Sequence, residues 1–236
     1  MKIMGFDTAA KTASVAITED GNLLSEFYLD SGFTHSETVL PMAKSLLEAV
    51  RMEPSDIDLF AVNVGPGSFT GLRIGIAAVK AMAMSLNKPC VGVSTLEALA
   101  KNVSDRKAVI CSAMDARCDQ VYAAFFESDG AKLLRKTEDS TLKTEALFDE
   151  IKKLFAESGE KLLMVGDGAM IMQKKFGDEF FCAAPKQLLL GHGYGVCLAA
   201  EEYIKKGEIT DAAGLVPNYL KLAQAEKEKL EKEGKL

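Results

Sequence analysis

The sequence predicts an α/β protein built twice over: two lobes, each a mixed sheet flanked by helices. Three observations predict it. Strand-like and helix-like segments follow one another in the same order in both halves of the 236-residue chain. Each half opens on an apolar run ending in an aspartate, followed by an Asp-Gly turn. These pairs are Asp7 with Asp20-Gly21 and Asp115 with Asp129-Gly130, spaced 13 and 14 residues apart. Each half later carries an apolar run ending in a glycine loop, Gly65-Pro66-Gly67 in one and Gly166-Asp167-Gly168 in the other.

The elements follow in order. Ile3-Met4-Gly5-Phe6 reads as a strand ending at Asp7, and Ser14 to Ile17 as a second. Asp20-Gly21 is a hairpin signal, because both residues tolerate a positive φ, and Leu23 to Tyr28 is the returning strand. Val39, Met42, Ala43, Leu46, Leu47 and Val50 recur near helical spacing. A strand then runs into Gly65. A helix is predicted over Leu72–Leu86, then a strand at Cys90–Val93 and a further helix. The second half repeats this with strands to Asp115, over Val121–Phe126 and from Lys132 to Leu134. A helix on Leu147, Ile151, Leu154 and Phe155 comes next. A strand at Leu162–Val165, a second helix, a strand at Phe180–Ala183 and a last helix complete it. Three antiparallel strands followed by crossovers imply a mixed sheet. The boundary falls at Ser104-Asp105-Arg106, giving lobes 1–104 and 105–236. The Glu/Lys-rich stretch 225–236 reads as a solvated helix.

Composition narrows the function. Hydrophobic residues make up 48% and charged residues 26%, with no tryptophan, so the core is aliphatic. A net charge of −6 gives no support for a face that neutralises many phosphates, so contact with nucleic acid is expected to be indirect. Five cysteines without a C-x-x-C pair read as reduced, buried thiols. No signal-peptide anatomy and no segment long and apolar enough to cross a bilayer is read, so the expectation is a cytoplasmic protein without membrane contact.

The strongest local feature is Gly65-Pro66-Gly67-Ser68-Phe69-Thr70-Gly71-Leu72-Arg73-Ile74-Gly75. Its G-x-G-x-x-x-G spacing is not the dinucleotide pattern and lacks a P-loop Gly-Lys-Ser/Thr. It reads as a tight strand-to-helix turn with glycines for close packing. The helix Leu72–Leu86 is apolar nearly all round, which predicts burial on most faces, either deep within the fold or against another subunit. Candidate contacts are Val39, Met42, Leu46, Leu72, Arg73, Ile76, Val79, Lys80 and Met82. Arg73 and Lys80, seven apart, share one stripe. The two histidines, His35 and His192, form no H-E-x-x-H, and His35 precedes Ser36, a candidate helix N-cap. No catalytic metal is expected.

The duplicated pattern is similar to the actin, Hsp70 and sugar-kinase (ASKHA) superfamily. Several motifs resemble the TsaB (YeaZ) family: Asp7-Thr8-Ala9, His35-Ser36-Glu37, Leu40-Pro41, the Gly65–Gly75 stretch, Gly92 to Leu99, Asp115-Ala116-Arg117 with Val121-Tyr122, and Pro217-Asn218-Tyr219-Leu220. The resemblance covers almost the whole chain. It implies a non-catalytic subunit that binds and activates a TsaD-like transferase, which places threonylcarbamoyl on adenosine at position 37 of ANN-decoding tRNAs. A TsaE-like ATPase is the implied third partner, and a homodimer the state when alone. TsaD-like proteins carry an H-x-x-x-H metal motif, and the matching positions here are Thr95 and Leu99. The resemblance therefore implies no catalytic residues and no metal. The superfamily's nucleotide site is expected to be degenerate: Asp7 and Thr8 are followed by alanines rather than a glycine, although Gly166 and Gly168 remain. No cofactor is expected beyond weak ATP or ADP binding at the partner interface. The alternatives are a glycoprotease-like peptidase and a weak ASKHA-type ATPase or kinase.

Overall fold

The computed structural model describes residues 1–221, so the stretch read as a solvated terminal helix lies outside them. The first half contains β1 (Lys2–Asp7), β2 (Ala13–Glu19), β3 (Asn22–Leu29), α1 (His35–Val50), β4 (Leu59–Gly65), α2 (Phe69–Leu86), β5 (Cys90–Ser94) and α3 (Thr95–Lys101). Its sheet has the order β3-β2-β1-β4-β5, antiparallel through β1 and parallel beyond it. The second half contains β6 (Lys107–Arg117), β7 (Gln120–Asp129), β8 (Leu133–Arg135), β9 (Ser140–Lys143), α4 (Thr144–Ser158), β10 (Leu162–Val165), α5 (Asp167–Phe176), β11 (Phe181–Ala183) and α6 (Gly193–Lys205). Its order is β11-β10-β6-β7-β8, with the same change from antiparallel to parallel. This is the expected ASKHA-like duplication. The extra strand β9, which pairs with β7, was not foreseen, because Ser140-Thr141-Leu142-Lys143 is short and mostly polar.

Local signals place the elements. Asp20 and Gly21 sit at φ 49° and 79°, the paired positive values of a two-residue hairpin. Helix α1 is capped two residues earlier than Ser36 suggested. Thr34 is the N-cap, and its N–H donates to the Glu37 carboxylate at 3.3 Å. His35 is thus helical, and its Nε2 lies 2.8 Å from the Ala10 carbonyl oxygen.

The boundary near residue 105 separates the two topological repeats, but the packing crosses it. Helix α3 of the first half lies on β6 and β7 of the second, while α6 of the second half lies on β1, β2 and β5 of the first. Val196, Cys197, Ala199 and Ala200 of α6 join Ile3, Ala16, Leu59, Ala61, Val91 and Val93 in one buried cluster. A Cβ on Gly5 would lie 2.6 Å from both Cys197 Sγ and the Gly193 carbonyl, so this glycine sets how closely α6 sits on the sheet. Residues 206–221 continue the crossing. Cys90 and Thr210 exchange backbone hydrogen bonds of 2.8 and 2.9 Å and Asn218 N–H donates to the Val64 carbonyl, before Lys221 Nζ returns to the second half at the Ala116 carbonyl, 2.8 Å away.

Three expectations are corrected. Helix α2 is not buried on most faces: Gly71, Leu72, Gly75, Ile76, Ala78, Val79 and Ala83 turn inward, while Arg73, Ala77, Ala81 and Met84 are exposed. Its 18 residues, with a mean hydropathy of 1.3, are long and apolar enough to cross a membrane by length and composition alone. Here its inner side packs on β4 and α1. Of the five free cysteines, Cys90, Cys111 and Cys197 are buried, but Cys118 and Cys182 are exposed.

Candidate functional site

The first candidate surface is the outer side of α1 and α2. The structure divides the nine proposed contact residues. Val39, Met42, Leu46, Leu72, Ile76 and Val79 are all buried in the main core, at 0–9% exposure, so they cannot meet a partner without unfolding the lobe. Their helical spacing was read correctly, but it marks the inner stripe. Met82 is half-buried against the same core. Arg73 and Lys80 do reach the surface, where residues 206–221 engage them. Arg73 Nε–H donates to the Tyr219 hydroxyl at 2.8 Å, Tyr219 stacks on Phe69 at 4.4 Å, and Lys80 Nζ lies 3.5 Å from the Ala213 carbonyl. Among the described residues an apolar ridge stays exposed, Ala77, Ala81 and Met84 of α2, the last 72% exposed, with Leu40 and Pro41 on α1 and Phe33 just before it. Small side chains on Ala77 and Ala81 leave the backbone open to close approach by another helix.

The second is the cleft between the lobes, about 560 Å³ in volume. It is lined by Ala9, Ala10, Lys11, Gly67, Ser68 and Phe69 on one side and by Met114 to Cys118, Tyr122, Asp167 and Lys221 on the other. None of the four residues proposed for a degenerate nucleotide site lines it. Asp7 is 2% exposed; its Oδ1 accepts the Ala9 N–H at 3.0 Å, yet burial pushes its pKa up. The Thr8 hydroxyl donates to the Gly71 carbonyl at 2.8 Å, and a Cβ on Gly71 or Gly75 would run into Thr8. Gly166, at φ 98°, and Gly168 lie against Ala113 of β6, so they let the loop rest on the sheet rather than approach a ligand.

The cleft wall is poorly matched to a polyphosphate. Asp167 is the first residue of α5, where a bound anion would need free N–H groups. Its Oδ1 accepts the Asp115 N–H at 2.9 Å, and burial raises its pKa. The basic groups at the rim are engaged: Lys11 pairs with Asp30 at 2.7 Å and Arg117 with Asp115 at 3.3 Å. Arg117, Cys118 and Asp119 hold φ values of 63°, 54° and 58°, three successive left-handed residues without a glycine. Lys175 holds this turn from the side, 2.7 Å from Asp119.

Neither metal chemistry nor nucleophile activation is assembled among the described residues. No group of three or more His, Cys, Asp or Glu could hold a metal ion there. Thr95 and Leu99 are buried on α3, at 1% and 2% exposure. Ser68 Oγ accepts the Gly71 N–H, and Ser94 Oγ donates to Asp139 at 2.6 Å. His192 does approach a Ser–carboxylate pair, but in the wrong order for a triad. Its Nδ1 faces Glu26 at 3.2 Å, and the buried Ser14 hydroxyl donates to Glu26 rather than to the imidazole.

Sequence reasoning missed a polar joint behind the cleft. Arg135 donates to Glu97 at 2.9 Å and to Asp139 at 2.6 Å, and lies over the Phe126 ring at 4.8 Å. Both carboxylates are only 10% exposed. This ties α3 to β8 across the lobes. The available signal was Glu97 itself, a charged residue inside the otherwise apolar Thr95–Ala100 run.

The family model described as TsaD, tRNA N6-adenosine threonylcarbamoyltransferase, matches residues 31–233. The chain is similar to a tRNA threonylcarbamoyladenosine biosynthesis protein TsaB of Bacillus subtilis, 28% identical over 96% of each chain. It is also similar to the TsaB of Escherichia coli, 33% identical over 66% of this chain and 69% of that one. Among solved structures, YeaZ from Pseudomonas aeruginosa superposes with a TM-score of 0.77 at 25% identity, over 93% of this chain and 99% of that one.

Proposed function

This chain belongs to the TsaB/YeaZ family and acts in the biosynthesis of threonylcarbamoyladenosine on tRNA; from that premise we propose that it does so as a non-catalytic subunit. In this reading it binds and activates a TsaD-like threonylcarbamoyltransferase, which modifies ANN-decoding tRNAs. The observation that carries the proposal is the apolar ridge on α1 and α2, where Ala77, Ala81, Met84 and Leu40 face outward from a helix pair whose inner side is already packed. Exposed apolar surface of this kind fits a partner's helices.

Three further features support the reading. Thr95 and Leu99 stand where TsaD-like proteins carry metal-binding histidines, and leucine has no ligating atom. The glycines of the second-lobe loop are used in packing against Ala113. The cleft places Asp115 in the path of any incoming phosphate. The same proposal takes a TsaE-like ATPase as third partner, self-association through the ridge when the chain is alone, a cytoplasmic location and only indirect contact with tRNA. It needs no resident cofactor. Any ATP or ADP is a weak ligand at the joint with the partner.

The test is reconstitution of tRNA modification from purified partners with and without this chain. Modification that depends on the chain, while the isolated chain turns over no ATP, is the expected result. Equal modification without it contradicts the assigned role.

A further inference from the structure

Three residues with unpaired buried polar atoms lie at the carboxyl ends of the parallel strands of the first sheet. Asp7 ends β1, Asn63 sits near the end of β4, and Thr95 follows β5 directly. They are 2%, 0% and 1% exposed. Among the described residues Asp7 Oδ2, Thr95 Oγ1 and both amide atoms of Asn63 make no hydrogen bond of 3.5 Å or less, although Asn63 lies near enough to Asp7 to favour its carboxylate against the larger effect of burial. A buried polar atom left unpaired is costly, and native proteins rarely leave several together. Asp7 and Thr95 both line a cavity of about 10 Å³, which Asp167, Leu99, Met114 and Gly191 also enclose. The cavity thus joins the two unpaired side chains of the first lobe to a carboxyl of the second.

We propose that this cavity holds one ordered water molecule, hydrogen-bonded to Asp7 Oδ2 and Thr95 Oγ1 of the first lobe and to the Asp167 carboxyl of the second. Size suits the guest: the space accommodates about one water molecule. Chemistry selects it. A water needs two to four polar partners, and three polar side chains line the wall. A metal ion would need ionised oxygen ligands, whereas burial favours the neutral form of both Asp7 and Asp167. Leu99 and Met114 supply no oxygen. Gly191 packs directly on Asp7, because a Cβ there would overlap its carboxyl. The first-strand carboxyl is therefore committed to the seam between the lobes, turned away from the cleft.

Two measurements on the full chain test this. A high-resolution crystal structure should show a peak within hydrogen-bonding distance of Asp7 Oδ2 and Thr95 Oγ1. Thr95→Val, nearly isosteric, should lower Tm by about 2–4 °C by leaving the water short of a partner, and Thr95→Ser should recover most of that loss. Tm should be the same in sodium chloride and choline chloride. A rise in Tm for Thr95→Val would overturn the proposal, since removing an unpaired hydroxyl from a dry cavity is favourable. So would an empty cavity in the map. Stabilisation by sodium over choline would overturn it in favour of a cation.

Discussion

The two halves of the chain share one topology but use it differently. In the first, α2 has 18 residues, and α1 and α2 pack tightly on their sheet. In the second, the equivalent α5 has 10 residues, and β10 and β11 shrink to 4 and 3. Helix α4 stands away from its sheet over a groove of about 450 Å³ lined by Val109, Phe125 and Leu154, with charged residues at the rim. The long helix of the first half carries the open apolar ridge. The second half instead lends α6 and residues 206–221 to the first, and provides Arg135 for the joint between them. The difference teaches that duplication sets the architecture, while the exposed apolar surface proposed for partner contact lies on the half whose outer helix was kept long. Sequence conveyed the length of α2 but not its facing.

Breaking the inner side of α2 should have the largest effect. Val79→Glu places an unpaired charge among residues that are fully buried, and should cost more than about 4 kcal/mol and prevent folding, as read by circular dichroism and thermal melts. Next comes the joint between the lobes. Arg135→Ala leaves Glu97 and Asp139 buried without a cation, and should cost about 3 kcal/mol, seen as a Tm loss of about 6–12 °C. If Tm is unchanged, the joint is not what holds α3 against the second lobe.

The outer stripe predicts the opposite pattern. Ala77→Glu should keep Tm within about 2 °C yet abolish co-elution with the TsaD-like subunit, because Ala77 is exposed on the folded protomer and lies outside its core. Met170→Glu, at an exposed position on the matching helix α5, should leave both properties intact. If the two variants weaken assembly equally, the asymmetry between the halves has no functional meaning.

The smallest effect is on pH dependence. Burial opposes charging of His192, but its hydrogen bond and charge pairing with Glu26 more than offset this and raise its pKa above 6.5. Burial likewise opposes the charge on Glu26, and His192 outweighs it, lowering that pKa. The pair's stabilisation is therefore complete between the two titrations. It is lost as pH rises through the raised histidine value, and also as pH falls through the lowered glutamate value. Tm should drop by about 2–4 °C on the alkaline side, and His192→Asn should flatten that slope.

Much of the fold was legible because its signals are local. Asp20-Gly21 and Asp129-Gly130 specify hairpins within four residues, and the apolar periodicity of Val39 to Val50 specifies a helix. The facing of α2 was not legible, because Ala77, Ala81 and Met84 are as apolar as the inward Ala78, Val79 and Ala83, so no period singles out a face. Helix exchange between lobes is a long-range choice that Gly5 permits but does not announce. The superfamily resemblance alone assigns Asp7 and Thr8 to a degenerate nucleotide site. Only the third dimension shows Gly71, Gly75 and Gly191 closing on them.

The most direct test of the account mixes the purified chain with the proposed TsaD-like and TsaE-like partners and follows tRNA modification for wild type and Ala77→Glu together. The account predicts a folded variant that neither assembles nor supports modification. A folded Ala77→Glu that sustains the wild-type rate would contradict it.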